Sequence, residues 1–385
     1  MSFATERLDD QEQLAAIDRS GMLRALAGAG AQIRRAVLAA REAGIPDPGT
    51  GDRPRGVVIA AMGADDLVAD AAGTLAAGMS PISVVHARNA PLPGWVGPLD
   101  LVVAVSLSGA APGPLRLALE AGRRGASVVG ISVPDSPLAQ ATAAARGIHV
   151  PVEGTGRHSR AAAWALLSAT VVALEGYDVL SGISSGLEAA ADRLDTVAAE
   201  SRPSSEAFVN PAKLLAADLA GTIPLVLGDG PLTGVAARRA GLMLARTART
   251  PAMTGELPDA AAALLACLDG PFASQAGVDG GRDIFADPYL DAPRTEPALL
   301  VLRDVLPDAP EVPDEADVAR HGLAQTVVDL AADRGTVVRE VTPSAGPDLA
   351  RLAELIARVD YTATYLAFGL GLDPATAPAL SALAR

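Results

Sequence analysis

The chain predicts an α/β fold made of two tandem, doubly wound units, each with a parallel sheet flanked by helices. Three observations carry that expectation. Short apolar runs alternate with helical segments along most of the 385 residues, the pattern that builds parallel sheets. Several runs, Leu101–Ser106 among them, lack polar alternation, as strands covered on both faces do. The pattern then restarts beyond Ser201-Arg202-Pro203-Ser204-Ser205, a polar break that reads as a boundary. The expected division is an N-terminal helical segment over 1–50, a first α/β domain over 51–200 and a second over 201–385.

Residues 1–45 carry helical periodicity and stop at Gly44-Ile45-Pro46, followed by a loop over 46–55. In the first half, strands are predicted at Gly56–Met62, Pro81–Val85, Leu101–Ser106, Ser127–Ser132 and Ile148–Val152. Helices are predicted at Asp66–Gly78, Leu115–Arg124, Ala161–Gly176 and Gly186–Glu200. The second half offers strands at Ile223–Leu227, Leu299–Arg303 and Thr336–Val341. Its helices fall at Thr233–Arg249, Glu315–Arg334 and, closing the chain, Asp348–Gly369, and Gly270–Thr295 reads as a long surface loop. The two halves share a plan and not a sequence.

Half of the chain is hydrophobic but only 3% is aromatic, so Ala, Val and Leu must fill the core. A net charge of −14 disfavours nucleic acid and anionic membrane surfaces as partners. Lys213 is the only lysine, and Arg supplies the remaining positive charge. The single Cys267, in an apolar run, reads as a small buried hydrophobe and excludes a disulfide framework. His86, His149, His158 and His321 show no metal-ligand spacing, so no metal site is expected. The acidic, polar N-terminus is unlike a signal peptide, and the apolar run Ala161–Leu174 is too short to span a bilayer. A soluble, cytoplasmic protein is expected.

The sharpest motif is Ser106-Leu107-Ser108-Gly109, where an apolar strand ends before a helix. Hydroxyls, backbone N–H groups and a helix N-terminus at such a junction suit an anion, although small residues also make ordinary turns there. Ala61-Met62-Gly63 lacks the later glycines of a dinucleotide fingerprint, so a nicotinamide cofactor is not expected, nor any other. Ser106 and Ser108 do not sit in a Gly-x-Ser-x-Gly elbow and no His/Asp pairing is suggested, so hydrolase chemistry is not expected. Arg157, His158 and Arg160 form a tight basic cluster, open to reading as a solvated helix start or an anion site. Asn210 and Lys213 read as a helix cap and an acid-paired base.

In order and spacing, these pieces resemble the sugar-isomerase (SIS) fold family, and within it the bifunctional phosphoglucose/phosphomannose isomerases and their divergent actinobacterial relatives. The resemblance runs through Ala61-Met62-Gly63, Ala90–Val96, Val105–Gly109, Glu120–Ala126, Arg160, Asn210-Pro211-Ala212-Lys213, Tyr365-Leu366-Ala367 and Asp373-Pro374. It implies two SIS-type domains, a phosphorylated sugar as ligand and a homodimer. It also implies a phosphate-binding set of Gly63, Asp65, Ser106, Ser108, Gly109 and Arg160.

The departures bear on chemistry. Asp65 stands where the family has a Ser, and Ala110-Ala111 where the phosphate loop continues with Asn-Thr. Arg246 stands at the place of the catalytic Glu, and Asp259, in Glu256-Leu257-Pro258-Asp259, at that of the catalytic His. An Arg stays protonated at any working pH and cannot be the base that isomerisation needs. The catalytic candidates are therefore Glu256, Asp259 and Arg246, with Glu256 or Asp259 in the role of base. Two classes of function stay open: an isomerase with a remodelled site, and a non-catalytic sugar-phosphate sensor or partner subunit.

Overall fold

A computed structural model describes residues 2–154, 159–274, 295–306, 314–376 and 379. Two parallel sheets organise it. The first contains β1 (Gly56–Ala60), β2 (Ser83–Ala87), β3 (Leu101–Val105), β4 (Ser127–Ser132) and β5 (Ile148–Pro151) in the order β2-β1-β3-β4-β5. Every neighbouring pair is parallel, with Val58 opposite both Val85 and Val102. Helices α1 (Gln11–Ile17), α2 (Met22–Ala27) and α3 (Ala29–Glu42) precede it. The other helices of this half are α4 (Asp66–Ala77), α5 (Pro112–Arg123), α6 (Pro137–Ala144), α7 (Ala163–Gly176) and α8 (Gly186–Glu200).

Burial explains why these strands read so clearly. All five residues of β1 and of β3 lack polar side chains and are buried. Val58, Val102, Ala104 and Val128 pack with Leu117, Ala118 and Ala121 of α5 and Leu138 of α6. On the opposite face α7 packs with α3 and α4. Helix α7 is buried on nearly every side, which accounts for its apolar run: a helix hydrophobic all round belongs in a core. Among the described residues, no helix is long and apolar enough to cross a membrane.

The second sheet contains β6 (Ile223–Gly228), β7 (Met253–Glu256), β8 (Pro297–Leu302) and β9 (Val337–Val341), again all parallel, in the order β7-β6-β8-β9. It repeats the first four places of the first sheet, so the likeness of the halves is one of winding. Its helices are α9 (Pro211–Leu219), α10 (Pro231–Met243), α11 (Ala261–Cys267), α12 (Glu315–Asp333) and α13 (Asp348–Gly369). Leu225, Leu227, Leu299 and Val301 form a core with Leu264 of α11 and Ala324, Val327 and Ala331 of α12. Two compact units result: residues 24–196 with 346–353 around the first sheet, and residues 1–23, 197–345 and 354–385 around the second.

Several predicted elements move. The strand expected at Pro81–Val85 is Ser83–Ala87, and the helix expected from Leu115 opens at Pro112, where a missing N–H costs nothing in the first turn. The helix expected over Thr233–Arg249 ends as α-helix at Met243 and continues as a π turn, Leu244–Ala248, closed by Arg249 at φ 56°. Helices α6 and α11 and strand β7 are additions to the expected set. Cys267 is only partly buried, with Sγ 3.7 Å from the Met253 sulfur. Of the expected loop Gly270–Thr295, residues 275–294 lie outside the described residues.

Candidate functional site

The chain leaves β1 for β2 on one side and later returns to β3 on the other. Open α/β sheets bind ligands outside the carboxyl ends of the strands at such a switch point. Gly63 and Asp65 form a 3-10 turn just after β1, and Ser106, Ser108 and Gly109 follow β3 directly. Arg160 is buried in a second 3-10 turn, Ser159–Ala162, which packs against the Gly63–Asp65 turn. All six candidate binding residues therefore gather at one end of the first sheet. Arg157 and His158 lie outside the described residues.

Most backbone donors of this loop are already engaged. Ser106 N–H donates to the Ile131 carbonyl at 3.0 Å and Gly109 N–H to the Ser106 carbonyl at 2.9 Å. Ala110 N–H donates to Ser108 Oγ at 3.3 Å. Leu107 N–H donates to Asp65 Oδ2 at 3.2 Å. The last contact matters most, because a carboxylate of the chain itself accepts a donor at the junction suited to an anion. Beside it, burial pushes the Asp66 carboxyl up, but hydrogen bonds from His86 and Arg88 outweigh this and hold it below its ordinary value. Arg88 Nε lies 2.8 Å and His86 Nε2 3.3 Å from that carboxylate, so both bases have a partner there.

Behind the loop, Gly109 has φ 64°, and a Cβ on it would lie 2.2 Å from Ser136 Oγ. Only Gly fits both the backbone and the space. Ser136 Oγ caps α6 and lies 2.7 Å from Ser132 Oγ, which is 2.9 Å from His149 Nε2. Burial holds the His149 pKa below its ordinary value.

The catalytic candidates belong to the second sheet. Glu256 ends β7, with Oε2 2.9 Å from Arg238 Nη1. A Cβ on Gly234 would lie 2.2 Å from the same oxygen, so the glycine makes room for the carboxylate. Asp259 is exposed in the turn after β7, and Arg246 is half-buried on the π turn after α10. No hydrogen bond or ion pair among the described residues joins Arg246, Glu256 and Asp259 to one another. Asn210 and Lys213 have the structural roles read from sequence. Asn210 Oδ1 accepts the N–H groups of Ala212 and Lys213, and the buried Lys213 Nζ meets Asp9 Oδ1 at 3.1 Å with the Pro203 and Ser205 carbonyls.

One pairing has no signal in the sequence. Asp229, directly after β6, is buried, and burial raises its pKa. Its Oδ1 accepts from the Thr233 hydroxyl and the Asp304 N–H, while Oδ2 lies 3.4 Å from His321 Nδ1. No grouping of three or more His, Cys, Asp or Glu among the described residues is placed to hold a metal. Two cavities, of about 370 Å³ beside Arg339 and Arg358 and about 320 Å³ beside Arg35 and Pro151, are lined by other residues than the candidates.

A model of the bacterial phospho-glucose isomerase C-terminal SIS domain matches residues 208–385. No curated protein sequence matches the chain significantly. Among solved structures, a hypothetical protein from Thermus thermophilus aligns with a TM-score of 0.65 at 13% identity, covering 98% of this chain and 92% of that one. The C-terminal domain of glucosamine-fructose-6-phosphate aminotransferase from Francisella tularensis gives 0.59 at 14% identity, over 92% and 97%. A glucose-6-phosphate isomerase like protein, also from Thermus thermophilus, gives 0.52 at 21% identity, over 97% and 99%. At these identities the likeness is one of fold. Residues 208–385 thus match an SIS domain, and the chain as a whole shares its fold with these solved structures.

Proposed function

We propose that this chain is a sugar-phosphate-binding SIS protein of the glucose-6-phosphate/mannose-6-phosphate isomerase type that has lost most or all aldose–ketose isomerase chemistry. The observation that carries the reading is the gathering of Gly63, Asp65, Ser106, Ser108, Gly109 and the Arg160 turn at the switch point of the first sheet. Serine hydroxyls and an arginine suit a phosphate ester. Isomerisation also needs a base to move a proton between C1 and C2. Arg246 cannot serve, Glu256 is held by Arg238, and Asp259 brings a carboxylate to the place where the family has an imidazole. These substitutions favour a second reading for the cell, a non-catalytic sensor or partner subunit in hexose-phosphate metabolism. The resemblance further supports a homodimer in the cytoplasm.

Calorimetry and thermal melting with glucose 6-phosphate and mannose 6-phosphate test the ligand class. Binding of at least one is expected, abolished by Ser108→Asp, which places a charge in the loop. No binding and no melting shift with either sugar phosphate would sink the reading. Sedimentation at micromolar concentration should show a dimer, and a monomer alone would reject that part.

A further inference from the structure

Asp65 is the one acid that reaches into the Ser106–Gly109 loop by a hydrogen bond among the described residues, and it does so across 42 residues of sequence. The other engaged backbone donors of the loop meet acceptors on the sheet or in the loop: Ser106 a strand carbonyl, Gly109 and Ala110 the loop itself. The Leu107 N–H is different, because its acceptor is a side chain on a separate short turn. We infer that Asp65 is a resident anion, which an incoming phosphate must displace from the Leu107 N–H. The inference rests on the reading of this site just given, and it adds how binding there is regulated.

The local structure suits displacement. The Gly63–Asp65 turn is three residues long and is closed by a long hydrogen bond, Asp65 N–H to the Met62 carbonyl at 3.4 Å. Gly63 sits at φ 69° with nothing within 4 Å of where a Cβ would be, so this end of the turn has room. Asp66, the next residue, is fixed by Arg88 and His86, which sets where the movement stops. The turn packs against the Arg160 turn and against α7, so its two positions are felt by both. A carboxylate and a phosphate dianion contending for one N–H give a two-state element, carboxylate in or phosphate in. A neutral sugar does not contend for it. The device reports an anionic ligand by moving a turn, as a sensor requires.

The test compares the full chain with Asp65→Asn and Asp65→Ser, titrated with glucose 6-phosphate, inorganic phosphate and glucose. Affinity for the two phosphates should rise from Asp to Asn to Ser, by about tenfold or more at Ser, the order expected for removing one nearby like charge. Glucose affinity should stay within about twofold, which separates charge competition from a general change of shape. In the natural chain, glucose 6-phosphate should speed amide exchange over residues 63–65, an effect absent from Asp65→Ser. Equal phosphate affinities in all three proteins, or weaker binding by the variants, would overturn the inference while leaving the site in place. If none of the three binds either phosphate, the site reading fails and takes the inference with it. Asp65→Asn is isosteric and keeps the comparison usable should Ser disturb the turn.

Discussion

Two glycines at the site separate backbone strain from packing. Gly109 and Gly63 both have positive φ, but a Cβ on Gly109 meets Ser136 Oγ at 2.2 Å while one on Gly63 meets nothing within 4 Å. Gly63→Ala should therefore cost about 1–2 kcal/mol from strain alone. Gly109→Ala adds overpacking and should cost about 2 kcal/mol more, since Ser136 is held by its cap and by Ser132. Urea unfolding of both variants checks the order. His149, next in that chain of contacts, gives a pH dependence. Burial depresses its pKa, so below about 6.5 the unfolded chain takes up a proton that the fold resists. Stability from this group thus falls as pH drops through 6.5 and is unaffected above it. Melting from pH 7 to 5 should fall less steeply in His149→Asn than in the natural chain.

Between elements, a buried ionic link joins α10 to α13. Arg239 Nε and Nη2 lie 2.8 and 2.7 Å from the two Asp360 oxygens, and both side chains are buried. Asp360→Ala leaves a buried guanidinium without this carboxylate and should lower stability by about 3–5 kcal/mol, whereas replacing both with Met and Leu should cost far less. Chemical denaturation of the single and double variants decides it. Sequence alone has no way to pair residues 239 and 360, nor Asp65 with Leu107, because nothing local marks either contact. What it does mark is burial on both faces. Strands β1, β3 and β4 and the bounds of α13 are legible from their apolar patterns. Two of the four edge strands are less so: the β2 pattern points two residues early, and β7, Met-Thr-Gly-Glu, carries no apolar run at all, whereas β5 and β9 read to within a residue. The π turn carrying Arg246 has the composition of ordinary helix and reads as such. Asp229 and His321 meet only because β6 and α12 do, so spacing cannot announce them.

At the scale of the whole molecule, charge and chemistry point the same way. A chain at net −14, whose one lysine is buried and tied to Asp9, would bind the proposed phosphate through arginines, backbone donors and hydroxyls. The proposed site offers such groups at one switch point, where Asp65 also stands. Hexose-phosphate isomerase activity should accordingly be very weak or absent. General acid–base groups contribute about 10²–10⁴-fold each, and on the proposed reading two of them are replaced, by Arg246 and Asp259. A coupled assay on glucose 6-phosphate and mannose 6-phosphate should find turnover well below the ordinary range of roughly 1–10³ per second. Arg246→Glu with Asp259→His should raise it. Turnover of the natural chain within the ordinary range would mean that another base is in place. Glu256 is then the residue to remove, and Glu256→Gln should abolish the reaction.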